Sequence, residues 1–530
     1  MPPAGNETAP DRLDEAARLL VAGEIDAAAA LYAARLATSP ADPQALAGLS
    51  RTKTAGDDFT AGRQLARQAL AAVDRQGDGA VAPAAPRAAA LLALGEAHFR
   101  AGDLDAAGLA FRRSLALDPR PAGAWYGLAR HALTVPRYQD AGHLLRAAVA
   151  RDPDDPRIVR RLASLVADRE EVLALYRHYL ELPPAEGEQV FANSRAWLAV
   201  LEEAGDRPLY RLDGPASAAP LRLDQVAGRP WVDVTIGSLP GRPFLLDSGA
   251  GGVTLSAALA RRLDLHPVSA FTIRGVSAKT RVLPFALLPA LQVGPFTFHD
   301  VPAVITEDRA APRGILGLSL LAPLTPALDR FRSLHLARAA PPHPGCPTGT
   351  SWRVRNVSGM LRLQARLANR PVHLVIDTGA ARSVLSRAGL ARLGVSESAG
   401  GSATGLDGLT GASGDVGRVR DRVRLAFLGH EVSARGMAVL DLSALSHSLG
   451  TEIDGLLGVD LLRGDRLTFD YAAGRLQVRP AAGPPDQRGR RPDGRRSSAS
   501  RRRPSRTPPG APRPRRTSSM RRRISSRNRS

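Results

Sequence analysis

Phe244-Leu245-Leu246-Asp247-Ser248-Gly249-Ala250 and His373-Leu374-Val375-Ile376-Asp377-Thr378-Gly379-Ala380 are two copies of one motif. In each, an apolar run ends in an aspartate, a hydroxyl residue, a glycine and an alanine. Aligning residues 247–256 with 377–386 gives identity at five of ten positions, with Ser exchanged for Thr beside the aspartate. Each copy has an apolar-apolar-glycine element downstream, Ile315-Leu316-Gly317 after the first and Leu456-Leu457-Gly458 after the second. Around these motifs the sequence alternates in short stretches rich in Val, Leu, Phe and Thr, broken by Gly and Pro, which predicts strands. The clearest are 231–236, 291–298 and 301–305 in the first half, then 360–367, 372–376, 423–427 and 437–440 in the second. Helix-like runs at 257–263 and 388–393 follow the two motifs, and hairpins at 328–336 and 467–478 close the halves. The expectation is a duplicated, two-lobed all-β unit with one aspartate per lobe.

Two carboxylates carried on matching strand-to-turn junctions can share one proton, because like charges in close contact cannot both ionise. Gly249 and Gly379 permit a tight turn with backbone N–H groups near each carboxylate. Gly317 and Gly458 allow a neighbouring strand to pack against the acidic loop where a side chain would clash. The glycine-bearing segments Arg274-Gly275-Val276-Ser277 and Gly405-Leu406-Asp407-Gly408 hold the flap candidates Gly275, Gly405 and Gly408, the second candidate region running on to Gly411. No tyrosine stands in either. The first copy continues Ala250-Gly251-Gly252, and its apolar-glycine element reads Gly317-Leu318-Ser319 where the second has an acid at Asp460.

Over residues 219–480 these motifs resemble the retropepsin-like aspartic peptidases in a single-chain, two-lobed arrangement, and Leu457-Gly458-Val459-Asp460-Leu461-Leu462 resembles bacterial members. The resemblance implies that Asp247 and Asp377 form the catalytic dyad of an endopeptidase. It also implies that Ser248 and Thr378 hydrogen-bond across the lobe interface to lock the pair. The implied substrate is an extended polypeptide, and no cofactor or metal is needed. The other reading is a scaffold of the same fold that binds peptide without cleaving it.

Upstream, small residues recur at Ala28, Gly62, Ala107 and Ala141, at spacings of 34, 45 and 34. An Ala/Pro/Gly-rich insertion near 76–86 accounts for the longer interval. Leu91, Leu94, Gly95, Ala97 and Phe99, then Leu104, Ala107, Phe111 and Leu115, mark two helices broken by Gly102-Asp103 and ended by Asp118-Pro119. The pattern resembles tetratricopeptide repeats over residues 9–184. That implies a solenoid whose units bury their apolar faces only against one another, with a concave groove for a protein partner or the substrate.

The composition, 44% hydrophobic and 23% charged, is that of a globular protein. The net charge of +21 is unevenly spread: residues 481–530 hold 17 Arg and 2 Asp, leaving +6 on the rest. That Arg/Pro/Ser-rich tail cannot bury a core and is expected to be disordered. It lacks aromatics to stack on bases, so specific nucleic-acid binding is not expected. The single cysteine, Cys346, excludes an intrachain disulfide, and no His spacing suits a metal. No apolar run of transmembrane length or secretory leader is visible, so the expected location is cytoplasmic, or periplasmic or secreted if translation starts upstream. The predicted order is a helical repeat domain 9–184, a linker 185–218, lobes 219–345 and 346–480, and the tail 481–530.

Overall fold

The computed structural model describes residues 9–76, 84–274, 280–307, 314–338, 351–398 and 416–480. Gly275, Gly405, Gly408, Cys346 and the tail lie outside them. Among the described residues, eleven α-helices precede the strands. Aspartates start several of them. Asp42 accepts hydrogen bonds from the Gln44 and Ala45 N–H groups, and Asp155 from that of Arg157, each just ahead of a proline in the first turn. Asp103 caps Leu104–Leu117 in the same way through Ala106. The recurrent small residues lie at helix crossings: Ala28, Ala107 and Ala141 are fully buried. The Phe111 ring fills the space between Gly95 and Gly127, where an added Cβ would come within 2.5 and 2.6 Å of it. The helical repeat reading of the first region holds. The stretch predicted as linker, 185–218, carries structure of its own. It contains the helix Glu188–Ala204 and a strand, Arg211–Asp213, that joins the first lobe's sheet. Its apolar residues, among them Trp197, have a partner to bury against that is distant in sequence.

The remainder is β-rich. In the first lobe the motif strand Leu239–Asp247 runs between the antiparallel strand Arg229–Ile236 and the parallel strand Ile315–Gly317. In the second, the strand Arg370–Ile376 runs between Met360–Leu367 and Gly455–Leu457 in the same senses. Ser256 and Ser386, which end the two motif copies, each cap the helix that follows, Ala257–Arg262 and Arg387–Leu393. The predicted strand 291–298 is instead a hairpin turn between Thr280–Val293 and Phe296–Thr306, with Gly294 at φ +57°. Apolar alternation runs through the turn because both of its strands face one core, so periodicity alone gave no break there.

A third sheet of six strands takes members from both halves. Its seam is Ala327–Asp329 against Asp465–Asp470, with Leu328 opposite Leu467. One hydrophobic cluster passes through all three sheets: Phe244 and Leu246 from the first lobe, Leu328 and Phe469 from the shared sheet, Leu374 and Ile376 from the second. The lobes are therefore halves of one core. The repeats are packed onto the second lobe, and the helix Glu188–Ala204 that follows them is packed onto the first. The Phe99, Arg100 and Gly102 carbonyls accept from Thr451 Oγ1 (2.9 Å), the Glu452 N–H (2.7 Å) and Arg362 Nη2 (2.8 Å) of the second lobe. On the first lobe, Asn193 pairs with both the N–H and the carbonyl of Thr272, at 2.8 and 2.9 Å. No helix among the described residues is long and apolar enough to cross a membrane.

Candidate active site

Asp247 closes its strand and Asp377 follows immediately after its own, so both carboxyls emerge where the backbone leaves the sheet. Each is held by its own turn. Asp247 Oδ1 accepts from the Gly249 N–H at 2.7 Å, and Asp377 Oδ1 accepts from the Gly379 and Ala380 N–H groups, both at 3.0 Å. The two turns face each other. A Cβ added to Gly379 would lie 2.4 Å from Asp247 Cγ, and one on Gly249 would lie 2.9 Å from Asp377 Cγ. Only glycine leaves room for the opposite lobe's carboxyl at either place.

Beneath the pair, the hydroxyl residues interlock. Ser248 Oγ donates to the Ile376 carbonyl (2.7 Å) and accepts from the Thr378 N–H (3.0 Å). Thr378 Oγ1 donates to the Leu246 carbonyl (2.7 Å) and accepts from the Ser248 N–H (2.9 Å). These four bonds cross the lobe interface in a two-fold pattern, with Ser248 1% and Thr378 0% exposed. At that burial an unmade bond would cost more than a made one contributes, so the network selects one relative placement of the turns.

Burial, then the charge of Asp247, pushes the Asp377 carboxyl well above the usual carboxylate range. Burial likewise raises Asp247, opposed by the Gly249 N–H, then by a hydrogen bond with Asp377 and the Gly379 N–H, and least by the Arg229 guanidinium. The pair thus favours holding a proton.

Gly317 and Gly458 stand where backbone passes close by. A Cβ on Gly317 would meet the Ala250 and Gly252 carbonyl oxygens at 2.6 and 2.7 Å, and one on Gly458 would meet the Arg382 backbone at 2.6 Å. The lobes differ at one point. In the second, Asp460 accepts from the Ser383 N–H and hydroxyl (2.9 and 2.7 Å), and Ser383 Oγ accepts from the Gly458 N–H (2.9 Å). Ser319 replaces Asp460 in the first lobe, whose loop instead bonds through the Gly317 N–H to the Gly252 carbonyl at 2.9 Å.

Two residues near the pair were not singled out in the sequence. Arg229 and Met360 each begin the strand that pairs with a motif strand, after the turns Val226-Ala227-Gly228 and Val357-Ser358-Gly359. The matching turns, about as far ahead of each aspartate, were the available signal. A further element without a sequence forecast is the helix Ser443–Leu449. Its Leu445 and Leu449 pack with Val375 and Leu456 beside the second aspartate. The strands Ser269–Arg274 and Thr280–Val293, which flank Gly275, form a hairpin in the first lobe. Among the described residues no group of His, Cys, Asp and Glu could hold a metal ion.

Residues 232–320 and 363–461 match a family described as aspartyl protease, one motif copy in each segment, and residues 92–156 match one described as tetratricopeptide repeat. No curated protein matches the chain. Among solved structures, a thermophilic tetratricopeptide repeat protein of Thermus thermophilus is 23% identical over 37% of this chain and 100% of its own, with a TM-score of 0.27. PilF of Pseudomonas aeruginosa is 17% identical over 37% of this chain and 86% of its own, with a TM-score of 0.26.

Proposed function

We propose that the tandem aspartyl protease region carried behind these tetratricopeptide repeats is a working endopeptidase, with Asp247 and Asp377 as its catalytic dyad. The observation that carries this reading is the facing of the two buried turns, each leaving glycine-sized room for the other's carboxyl. A water between the carboxyls would lose a proton to the ionised member as general base. The protonated member would hydrogen-bond the scissile carbonyl and stabilise the oxyanion of the tetrahedral intermediate. Proton return to the amine nitrogen then breaks the C–N bond, with no acyl-enzyme. Which aspartate starts ionised belongs to the pair rather than to either residue. The hydroxyl interlock and the four glycines hold the dyad, and the repeats recruit a partner or the substrate.

The test is to incubate the full chain with a peptide digest between pH 4 and 7.5 and to read new termini by mass spectrometry. Asp247→Asn and Asp377→Asn should each lower turnover by about a hundredfold or more. Turnover that survives either change, or no cleavage at any pH, would defeat the peptidase reading. The second reading is a peptide-holding scaffold, and the observation favouring it is Ser319, which leaves the first motif loop without the carboxylate tie of the second. Tight binding of an uncleaved peptide at the dyad, without turnover, is its signature.

A further inference from the structure

The charge of Arg229 reaches Asp247 and favours its ionised form, and nothing in the peptidase chemistry uses it. Arg229 opens the strand Arg229–Ile236, straight after Ala227 and Gly228, both in left-handed backbone at φ +52° and +76°. The ladder to the motif strand pairs Trp231 with Leu245. Continued by two residues, the same register sets Arg229 opposite Asp247. Side chains two apart on a strand share a face, so Arg229 and Trp231 lie on the face of Leu245 and Asp247. Trp231, Leu245 and Ile315 form a small apolar cluster there, with Ala250 of the acidic turn packed against it. The Arg229 guanidinium therefore stands at the end of an apolar wall that leads to the first aspartate. Its Nε is buried and has no hydrogen-bond partner. Among the described residues no acidic side chain pairs with it.

The duplication supplies an internal comparison. In the second lobe Ser358 and Gly359 make the same left-handed turn, at φ +51° and +87°. The ladder pairs Arg362 with Val375, and two residues further it sets Met360 opposite Asp377. Met360 is partly buried against Val357, Val375 and Leu456. The two positions related by the duplication thus differ in kind, a guanidinium beside one aspartate and a thioether beside the other.

A half-buried guanidinium with an unmade N–H bond is under-solvated, and a carboxylate supplies what it lacks: opposite charge and a planar pair of acceptors. A neutral or cationic side chain at the same place would leave the guanidinium unpaired. The opposite subsite offers only apolar, adaptable contact. We propose that Arg229 is a specificity-determining residue, selecting polypeptides with a carboxylate side chain flanking the scissile bond on the first lobe's side and an apolar one on the second lobe's side. This rests on the peptidase reading of the same site.

The test uses the full chain and matched peptides in which Glu, Gln or Leu is placed in turn at each of the three positions on either side of the cleaved bond. At one position the kcat/KM for Glu should exceed that for Leu by about tenfold or more, since sites built to bond a polar group reject analogues that lack it. Arg229→Met should bring that ratio to about one or below, and Arg229→Lys should keep part of it. Melting curves check that each variant is folded; should Arg229→Met fail to fold, Arg229→Gln takes its place. No preference for Glu at any position, or a ratio that survives loss of the guanidinium, overturns the proposal. If the wild type cleaves nothing, the peptidase reading falls separately. The same comparison is then made by calorimetry with uncleavable peptides carrying a hydroxyethylene in place of the amide. Tighter binding of the Glu peptide by the wild type but not by Arg229→Met sustains the selection of acid, and equal affinities overturn it.

Discussion

Two carboxyls buried against each other weigh on stability as well as chemistry. Asp377 is raised above its unfolded value by burial and by Asp247. Below the unfolded carboxylate pKa, about 3.9, both states hold the proton and the fold bears no penalty. As pH climbs towards the raised folded value the unfolded chain releases its proton while the native one keeps it. Stability present at low pH is therefore lost over that interval. Asp377→Asn removes the ionisation, so its Tm minus that of the wild type should grow from pH 4 to 7. A constant difference across that range would show that Asp377 is not raised. The interlock of Ser248 and Thr378 is the residue-scale counterweight, since it aligns the turns whichever protonation state they hold.

Among the elements, the hairpin of Ser269–Arg274 and Thr280–Val293 has its outer edge occupied by a helix. Asn193 offers its side-chain amide to the N–H and carbonyl of Thr272, as a neighbouring strand would, and Gln189 Nε2 adds a bond to the same carbonyl at 3.2 Å. Trp197 sets its ring edge-on to Phe271 and Phe285, with centroids 6.4 and 6.5 Å away. An otherwise open strand edge is thus closed. Asn193→Ala frees the Thr272 N–H and leaves its carbonyl only the longer bond from Gln189, at a cost of roughly 1–3 kcal/mol. It should raise amide hydrogen exchange in 269–274 and 280–285 well above the wild type while leaving 465–470 unchanged. Equal exchange in both proteins would mean that the helix does not hold the hairpin.

For the molecule as a whole, the shared six-stranded sheet and the continuous core make the lobes one folding unit, and the repeats are bound to it through their backbone. Arg362 is 3% exposed, and burial lowers its pKa to about 10. Its bond to the Gly102 carbonyl is one of the few satisfactions it has. Arg362→Met removes a buried charge along with that bond, and such exchanges are often neutral or stabilising where the replacement packs well. Arg362→Ala loses the same charge and bond and leaves a cavity besides, and should lower Tm more than Arg362→Met does. Calorimetry should show both lobes melting in one transition in each case. Two separated transitions assigned to residues 219–338 and 351–480 would contradict a common core.

How much of this was legible beforehand differs by distance along the chain. The duplicated motif, the paired aspartates, their glycines and the helical punctuation depend on local backbone rules, such as left-handed turns, caps and period, and these are written in neighbouring residues. Ser256 and Ser386 show it well: the residue ending each motif copy is also the cap of the next helix. The helix within 185–218, the turn at Gly294, the fused lobes and the reach of the Arg229 charge to Asp247 were not local. Alternating apolar residues state that a strand is buried but not which strand it meets. Register and the pairing of distant carbonyls with Arg362 or Asn193 are chosen by the whole core at once. Sequence by itself therefore determined that two acidic turns exist and what each needs around it. Only the tertiary structure decided that they face each other, that the charge of Arg229 reaches one of them, and that the repeats are fastened to the second lobe and the helix after them to the first.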